Sequence, residues 1–236
     1  MKIDVLSSEV EVGQRAAELL MHEVRLQPDL LLCAATGSSP AGAYRGLSAF
    51  AQQEPALFSR MRLLKLDEWG GLPMEHPGTC EQYLRDYLVK PLRIAEERYF
   101  GFTSTPADPQ AECVRMRSVL EQLGPIDVCV LGLGLNGHLG MNEPAATLSP
   151  HCHVADLTQT AMGHSMLAGA KPRYGLTLGM ADILQSRMIL LLNFGASKRD
   201  PMRRFLTQRI DTDFPGSLLW THPNTITLCD REAYPQ

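Results

Sequence analysis

The sequence predicts an α/β fold in which a parallel sheet is covered by helices on both faces. Two observations carry this. Short β-rich runs alternate with helical stretches along the whole chain. Such runs, for example LLLCAA and VCVLG, are apolar throughout, as strands buried on both faces are.

The first strand begins at Met1 or just after it. DLLLCAA (29–35) reads as a buried strand, and PAGAYRGLSAFAQQ (40–53) as a helix with Pro40 suited to its first turn. RLLKL (62–66) is a strand, followed by a loop and then a helix through TCEQYLRDYLVKPL. AECVRMRSVLEQL is helical, its apolar positions recurring at three and four. IDVCVLGLG is a strand, and so is RMILLLNFG (187–195). ASKRDPMRRFLTQ then starts a helix, where Pro201 must sit in the first turn or impose a kink. TITLCD (225–230) closes the set. The sum is a Rossmann-like, three-layer α/β/α arrangement. With no repeat, low-complexity tract or linker, a single domain over residues 1–236 is expected.

Composition narrows the function classes. Hydrophobic residues make up 44% and charged residues 20%, ordinary for a globular protein. A net charge of -4 argues against a general nucleic-acid face, although a few amides and one lysine can still build a local anion site. No apolar stretch is long enough to span a membrane and no secretory leader is visible, so a cytoplasmic protein without a membrane partner is expected. A homo-oligomer stays open. The six cysteines show no CxxC spacing and read as buried free thiols. In HCH (151–153) the side chains alternate faces, so the triplet does not form a metal site.

Ligands of open parallel sheets bind beyond the carboxyl ends of the strands. ATGSSP, DEWGGLP, LGLNGHLGMNEP and GASK each follow a strand and hold all the unusual chemistry of the chain. In the first, Thr36, Gly37, Ser38 and Ser39 combine close backbone approach, hydroxyls and a helix N-terminus, which suits a phosphate; an ordinary N-cap is the alternative. Lys198 of GASK sits near a helix start, where a cation is disfavoured unless an anion is close; otherwise it is a solvated lysine. Of Asp67 and Glu68, one carboxylate can serve as a base, the alternative being an acid that caps a helix or is ion-paired. His138 and Glu143 suggest a proton-transfer pair, because a carboxylate fixes an imidazole's tautomer and holds its charged form. Glycines around His138, Gly137 among them, leave little bulk to pack it as a structural histidine and bring backbone close to a small ligand.

In this order and spacing, ATGSSP, LDEWGGLP, GLGLNGHLGMNEP and GASK resemble the glucosamine-6-phosphate deaminase family, part of a wider group with the 6-phosphogluconolactonases. The likeness covers nearly the entire chain. LDEW, PGTCEQYL, CHVADL and GLTLGMADIL look closer to the galactosamine-6-phosphate deaminase/isomerase branch. The resemblance implies a sugar-phosphate substrate, with Asp67, His138, Glu143 and Asn136 as the catalytic set. Thr36 to Ser39, Glu68, Gly137 and Lys198 would contact substrate, and neither metal nor organic cofactor would be needed.

Some positions depart from the pattern. Glucosamine members carry an aspartate where this chain has Asn136, which can orient His138 but not balance its charge. No arginine of GHSMLAGAKPR falls in register with the family's phosphate-gripping arginine, leaving Lys171 or Arg173 as substitutes. Basic residues tied to allosteric activation, and the longer tail of those relatives, are missing, so no allosteric N-acetyl-sugar site is expected. A lactonase should read GHTASLFP in place of GHLGMNEP. A non-catalytic sugar-phosphate sensor should lose Asp67 or His138 and add a DNA-binding extension.

Overall fold

The computed structural model describes residues 1–158, 162–163 and 165–235. The first half of the chain runs through β1 (Lys2–Leu6), α1 (Glu9–Leu26), β2 (Leu31–Ala34), α2 (Ser38–Gln53), β3 (Arg62–Lys65), β4 (Asp67–Gly70), α3 (Cys80–Leu84) and β5 (Tyr99–Phe100). It continues with α4 (Pro109–Leu123), β6 (Val128–Gly132), β7 (His153–Ala155) and β8 (Tyr174–Thr177). The last elements are α5 (Met180–Leu184), β9 (Met188–Asn193), α6 (Arg199–Phe205) and β10 (Thr225–Asp230).

Seven strands form one sheet in the order β1-β10-β9-β6-β2-β3-β5. Every pairing in it is parallel, with Leu32 opposite Val128 and Cys33 opposite Leu64. The central strands supply one apolar cluster per face, as period-two geometry requires. Leu32, Ala34, Val128, Val130, Leu190 and Leu192 pack with residues of α1 and α2. Leu31, Cys33, Cys129, Leu131, Ile189 and Leu191 pack against α4, α5 and α6 on the other face. This is the expected Rossmann-like α/β/α sandwich. Pro201 sits in the first turn of α6, and all six cysteines are free, with only Cys152 not fully buried. No helix among the described residues is long and apolar enough to cross a membrane.

The chain winds outward from β2 through β3 to β5, then returns to β6 on the other side of β2. The winding therefore reverses between β2 and β6, and a crevice opens where the loops after these two strands diverge.

One segment differs from expectation. DEWG, read as loop, is a strand that extends β3 out of the main sheet. There β4 pairs antiparallel with β8, Asp67 opposite Thr177, in a three-stranded sheet ordered β4-β8-β7. The partner strand lies more than 100 positions along the chain, so no local pattern announces the pairing. Its consequence is that Asp67 stands on paired backbone.

Candidate active site

A cavity of about 330 Å³ opens at the carboxyl edge of the main sheet. Thr36, Gly37, Ser38 and Ser39 line it from the loop after β2, and Asp67 from the junction of β3 and β4. His138 and Glu143 reach it from the loop after β6, and Lys198 from the loop after β9. The four loops picked out by the sequence thus meet at one place.

The phosphate-type loop is braced from behind. Tyr44 Oη donates to the Ala35 carbonyl at 2.9 Å and Tyr83 Oη to the Gly37 carbonyl at 2.6 Å. The cap of α2 is Gly37, at φ 97°, which has no side chain to accept from the first-turn amides. Those N–H groups stay available to an anion at the helix's positive end. Lys198 Nζ donates to the Leu133 carbonyl at 2.5 Å, and burial lowers its pKa. An anion in the cavity would offset that lowering.

Asp67 is buried. Burial pushes its carboxyl up to about 7; the Glu68 carboxylate adds to this, while Cys80 and Lys65 act in the opposite sense. The group is therefore poised to exchange a proton near neutrality.

Asn136 stands behind the His138 ring. Its Nδ2 donates to Glu143 Oε2 at 2.7 Å, so its Oδ1 faces His138, accepting from the backbone N–H at 3.2 Å and lying 2.8 Å from Nδ1. An amide oxygen only accepts, so Nδ1 carries the ring proton and the lone pair sits on Nε2. Glu143 Oε1 lies 3.4 Å from the same Nδ1. Once the ring takes up a second proton, this carboxylate is the nearby negative charge. Asn142 fixes the loop, donating through Nδ2 to the carbonyls of Leu139 and Leu178, each at 2.9 Å. At Gly134 a β-carbon would fall 2.4 Å from the His138 ring, so the imidazole occupies the space the glycine leaves.

Three expectations are corrected. Glu68 does not line the cavity. It is fully buried, pairs with Lys65 Nζ at 2.7 Å, and accepts from the Cys80 and Glu81 amides at 2.9 Å each. It caps α3 and is ion-paired, the alternative reading of that acid. Gly137 also lies outside the lining: at φ 90°, with a β-carbon that would come within 2.1 Å of the Phe214 ring, it serves a tight turn against Phe214. The proposed phosphate substitutes Lys171 and Arg173 are likewise not lining residues, and Arg173 lies against Gly71 instead; Asn136 stands behind the cavity wall, against His138 and Glu143. Part of GHSMLAGAKPR, including His164, lies outside the described residues. Sequence reasoning also missed lining residues, above all Trp69, Met141 and Cys80. Only the helix start at Thr79, whose Oγ1 accepts from the Gln82 amide at 3.2 Å, marked where Cys80 would be held.

Elsewhere, His151 Nδ1 lies 2.8 Å from Asp182 Oδ1 and His153 Nδ1 lies 2.9 Å from the His151 carbonyl. Among the described residues no group of histidine, cysteine or acidic side chains is arranged to hold a metal.

The chain is 41% identical, over 92% of its length and 87% of the relative's, to AgaI of Escherichia coli strain K12, provisionally named a deaminase. It is 34% identical to glucosamine-6-phosphate deaminase 1 of Bacillus subtilis strain 168, over 99% of this chain and 98% of that one. A solved monomeric glucosamine-6-phosphate deaminase superposes with a TM-score of 0.93 at 33% identity, covering 99% of this chain and 98% of that chain. The 6-phosphogluconolactonase of Trypanosoma brucei shares the fold at a TM-score of 0.77 and 20% identity, over 98% and 97% of the two chains. The model for glucosamine-6-phosphate isomerases and 6-phosphogluconolactonases matches residues 7–228, and the chain belongs to that family.

Proposed function

We propose that this protein is a hexosamine-6-phosphate deaminase and isomerase, with galactosamine 6-phosphate as its substrate. The observation that carries the reading is a buried carboxyl near pH 7 and an imidazole backed by a carboxylate, both lining one cavity with a lysine and an uncapped helix N-terminus. Two proton-transfer groups and an anion cradle in one cavity suit isomerisation of a phosphorylated sugar.

The steps follow from the groups. The α2 amides, the hydroxyls of loop 36–39 and Lys198 hold the phosphate, so binding energy goes into orientation. His138 opens the pyranose by moving a proton between the anomeric hydroxyl and the ring oxygen. Glu143 balances its charge, and Asn136 orients it. Asp67 takes the C2 proton of the open aldehyde and returns it to C1. The C2 amine becomes an iminium; water adds to it and ammonia leaves. The product is tagatose 6-phosphate. Side-chain acids and bases near neutrality suffice for enolisation, so no step calls for a cofactor.

One feature supports the galacto epimer over the gluco epimer, which would give fructose 6-phosphate. LDEW, PGTCEQYL, CHVADL and GLTLGMADIL resemble the galactosamine branch. The segment GHLGMNEP, with Glu143 in it, speaks against a lactonase.

The test is ammonia release from both epimers, with Asp67→Asn and His138→Gln alongside. Asp67→Asn is expected to abolish exchange of the C2 proton with solvent while ligand binding survives. His138→Gln is expected to lose most turnover on the cyclic substrate. Unchanged turnover in Asp67→Asn would refute the reading.

A further inference from the structure

We propose that Cys80 is a positioning residue for the base: its thiol anchors one carboxylate oxygen of Asp67 and leaves the other to carry the substrate proton. The inference rests on the reading of Asp67 given above and deepens it.

Cys80, Thr36 and Asp67 meet on the cavity wall. Thr36 Oγ1 donates to Cys80 Sγ at 3.3 Å, and Sγ in turn lies 3.6 Å from Asp67 Oδ1. A thiol has one hydrogen, and with the Thr36 hydroxyl donating to sulfur that hydrogen goes to Asp67. Among the described residues no other hydrogen-bond donor reaches this carboxylate. The sulfur is itself fixed, because Cys80 is the first residue of α3 and its amide donates to Glu68 Oε1. Burial, followed by the Glu68 and Asp67 carboxylates, pushes the thiol well above its ordinary value, so it remains a donor wherever Asp67 titrates.

The two oxygens of Asp67 face different neighbours. Oδ1 is turned to Cys80. Oδ2 is turned to Gly140, whose missing β-carbon would stand 3.4 Å from it, on the loop that carries His138. A carboxylate torsion is soft. A base that moves a proton between neighbouring carbons works best when one oxygen is tethered and the other keeps a constant distance to both. The tether also favours the ionised form, since a bond to a carboxylate stabilises its charge. Other titratable groups surround Asp67: Lys65 and Glu68 on its own strand run, Cys33 of β2 and Tyr44 of α2, with His138, Glu143 and Lys198 lining the same cavity. None of these is altered by a change at position 80.

The experiment is a pH titration of protein labelled with ¹³C at aspartate carboxyls, with Asp67→Asn assigning the resonance. Alanine and serine are nearly the same size, so Cys80→Ala and Cys80→Ser differ in the donor alone. The Asp67 midpoint is expected to rise by about half a pH unit in Cys80→Ala and to stay at or below wild type in Cys80→Ser. The acid limb of kcat/KM should move with it, to higher pH in the alanine variant only. Coincident titration of the two variants would overturn the proposal. Should the substitutions at position 80 not fold, the infrared S–H band of Cys80 is expected to shift in Asp67→Asn, and an unmoved band would overturn it equally. If neither amino sugar phosphate releases ammonia, the functional reading fails, while the carboxyl titration still decides what the thiol does.

Discussion

Ionising Asp67 costs the fold free energy, since burial and the Glu68 carboxylate both disfavour its charge. Its folded value is raised, so the associated stability is fully present below the unfolded value of 3.8 and is lost as pH climbs through about 7. Integrated over that window the loss is on the order of 4 kcal/mol. Asparagine matches the neutral acid in shape. Asp67→Asn is therefore expected to be more stable than wild type at pH 8 by roughly that amount, and no more stable at pH 3. Denaturant titrations at the two pH values check this; a gain independent of pH would show that the carboxyl is not strained by its site. Much at this scale was legible from residue type alone. Asp67, His138, Glu143 and Lys198 were readable because each is a titratable group in a loop that follows an apolar strand run. Glu68 was not separable from Asp67, because adjacent residues on a strand face opposite ways and only the pairing of β4 with β8 decides which one looks into the cavity.

At the scale of elements, α3 hangs on a buried ion cluster. Lys65 Nζ pairs with Glu68 and Glu81 at 2.7 Å each, Tyr99 Oη donates to Glu81 at 2.9 Å, and Arg85 Nε to the other Glu81 oxygen at 2.7 Å. Burial opposes the lysine's charge, yet the Glu68 and Glu81 carboxylates hold its pKa above the ordinary value. The cluster joins β3, β4, α3 and β5, and so fixes both Asp67 and Cys80. Replacing one partner leaves buried charges uncompensated. Lys65→Met is expected to destabilise the protein by about 3–5 kcal/mol and to depress turnover with it. A loss under 1 kcal/mol in equilibrium unfolding would show the cluster to be dispensable. An ion-paired acid was the alternative reading of DEWG, but its partner could not be read from RLLKL, where Lys65 looks like an exposed position on a strand. Its two acids lie 3 and 16 positions away, and only the folded chain brings them together. The DEWG segment escaped for a related reason, since glycines and acids look like loop until a distant strand is there to pair with them.

On the scale of the molecule, the cavity is assembled by β9, β6, β2 and β3, which are consecutive in the sheet although scattered along the chain. Convergence of their loops was legible because parallel strands all deliver their carboxyl ends to one edge. A ligand bound there bridges segments with few covalent ties between them, so it should stabilise the fold as a whole. At a ligand concentration one hundred times Kd the gain is about 2.7 kcal/mol, or about 5–10 °C in Tm for a chain of this size. Galactosamine 6-phosphate is expected to raise Tm in this way, and inorganic phosphate to do so more weakly. Lys198 touches only the non-reacting end of the sugar in this scheme. Lys198→Ala should therefore raise KM about ten-fold or more with kcat largely kept, and should blunt the gain in Tm by the equivalent free energy. The two measurements constrain each other: steady-state kinetics reports the loss of uniform binding, and calorimetry in the Asp67→Asn background, which binds without turnover, reports the same loss. A fall in kcat at unchanged KM, with the full rise in Tm retained, would take Lys198 out of the phosphate site and place it among the reacting groups.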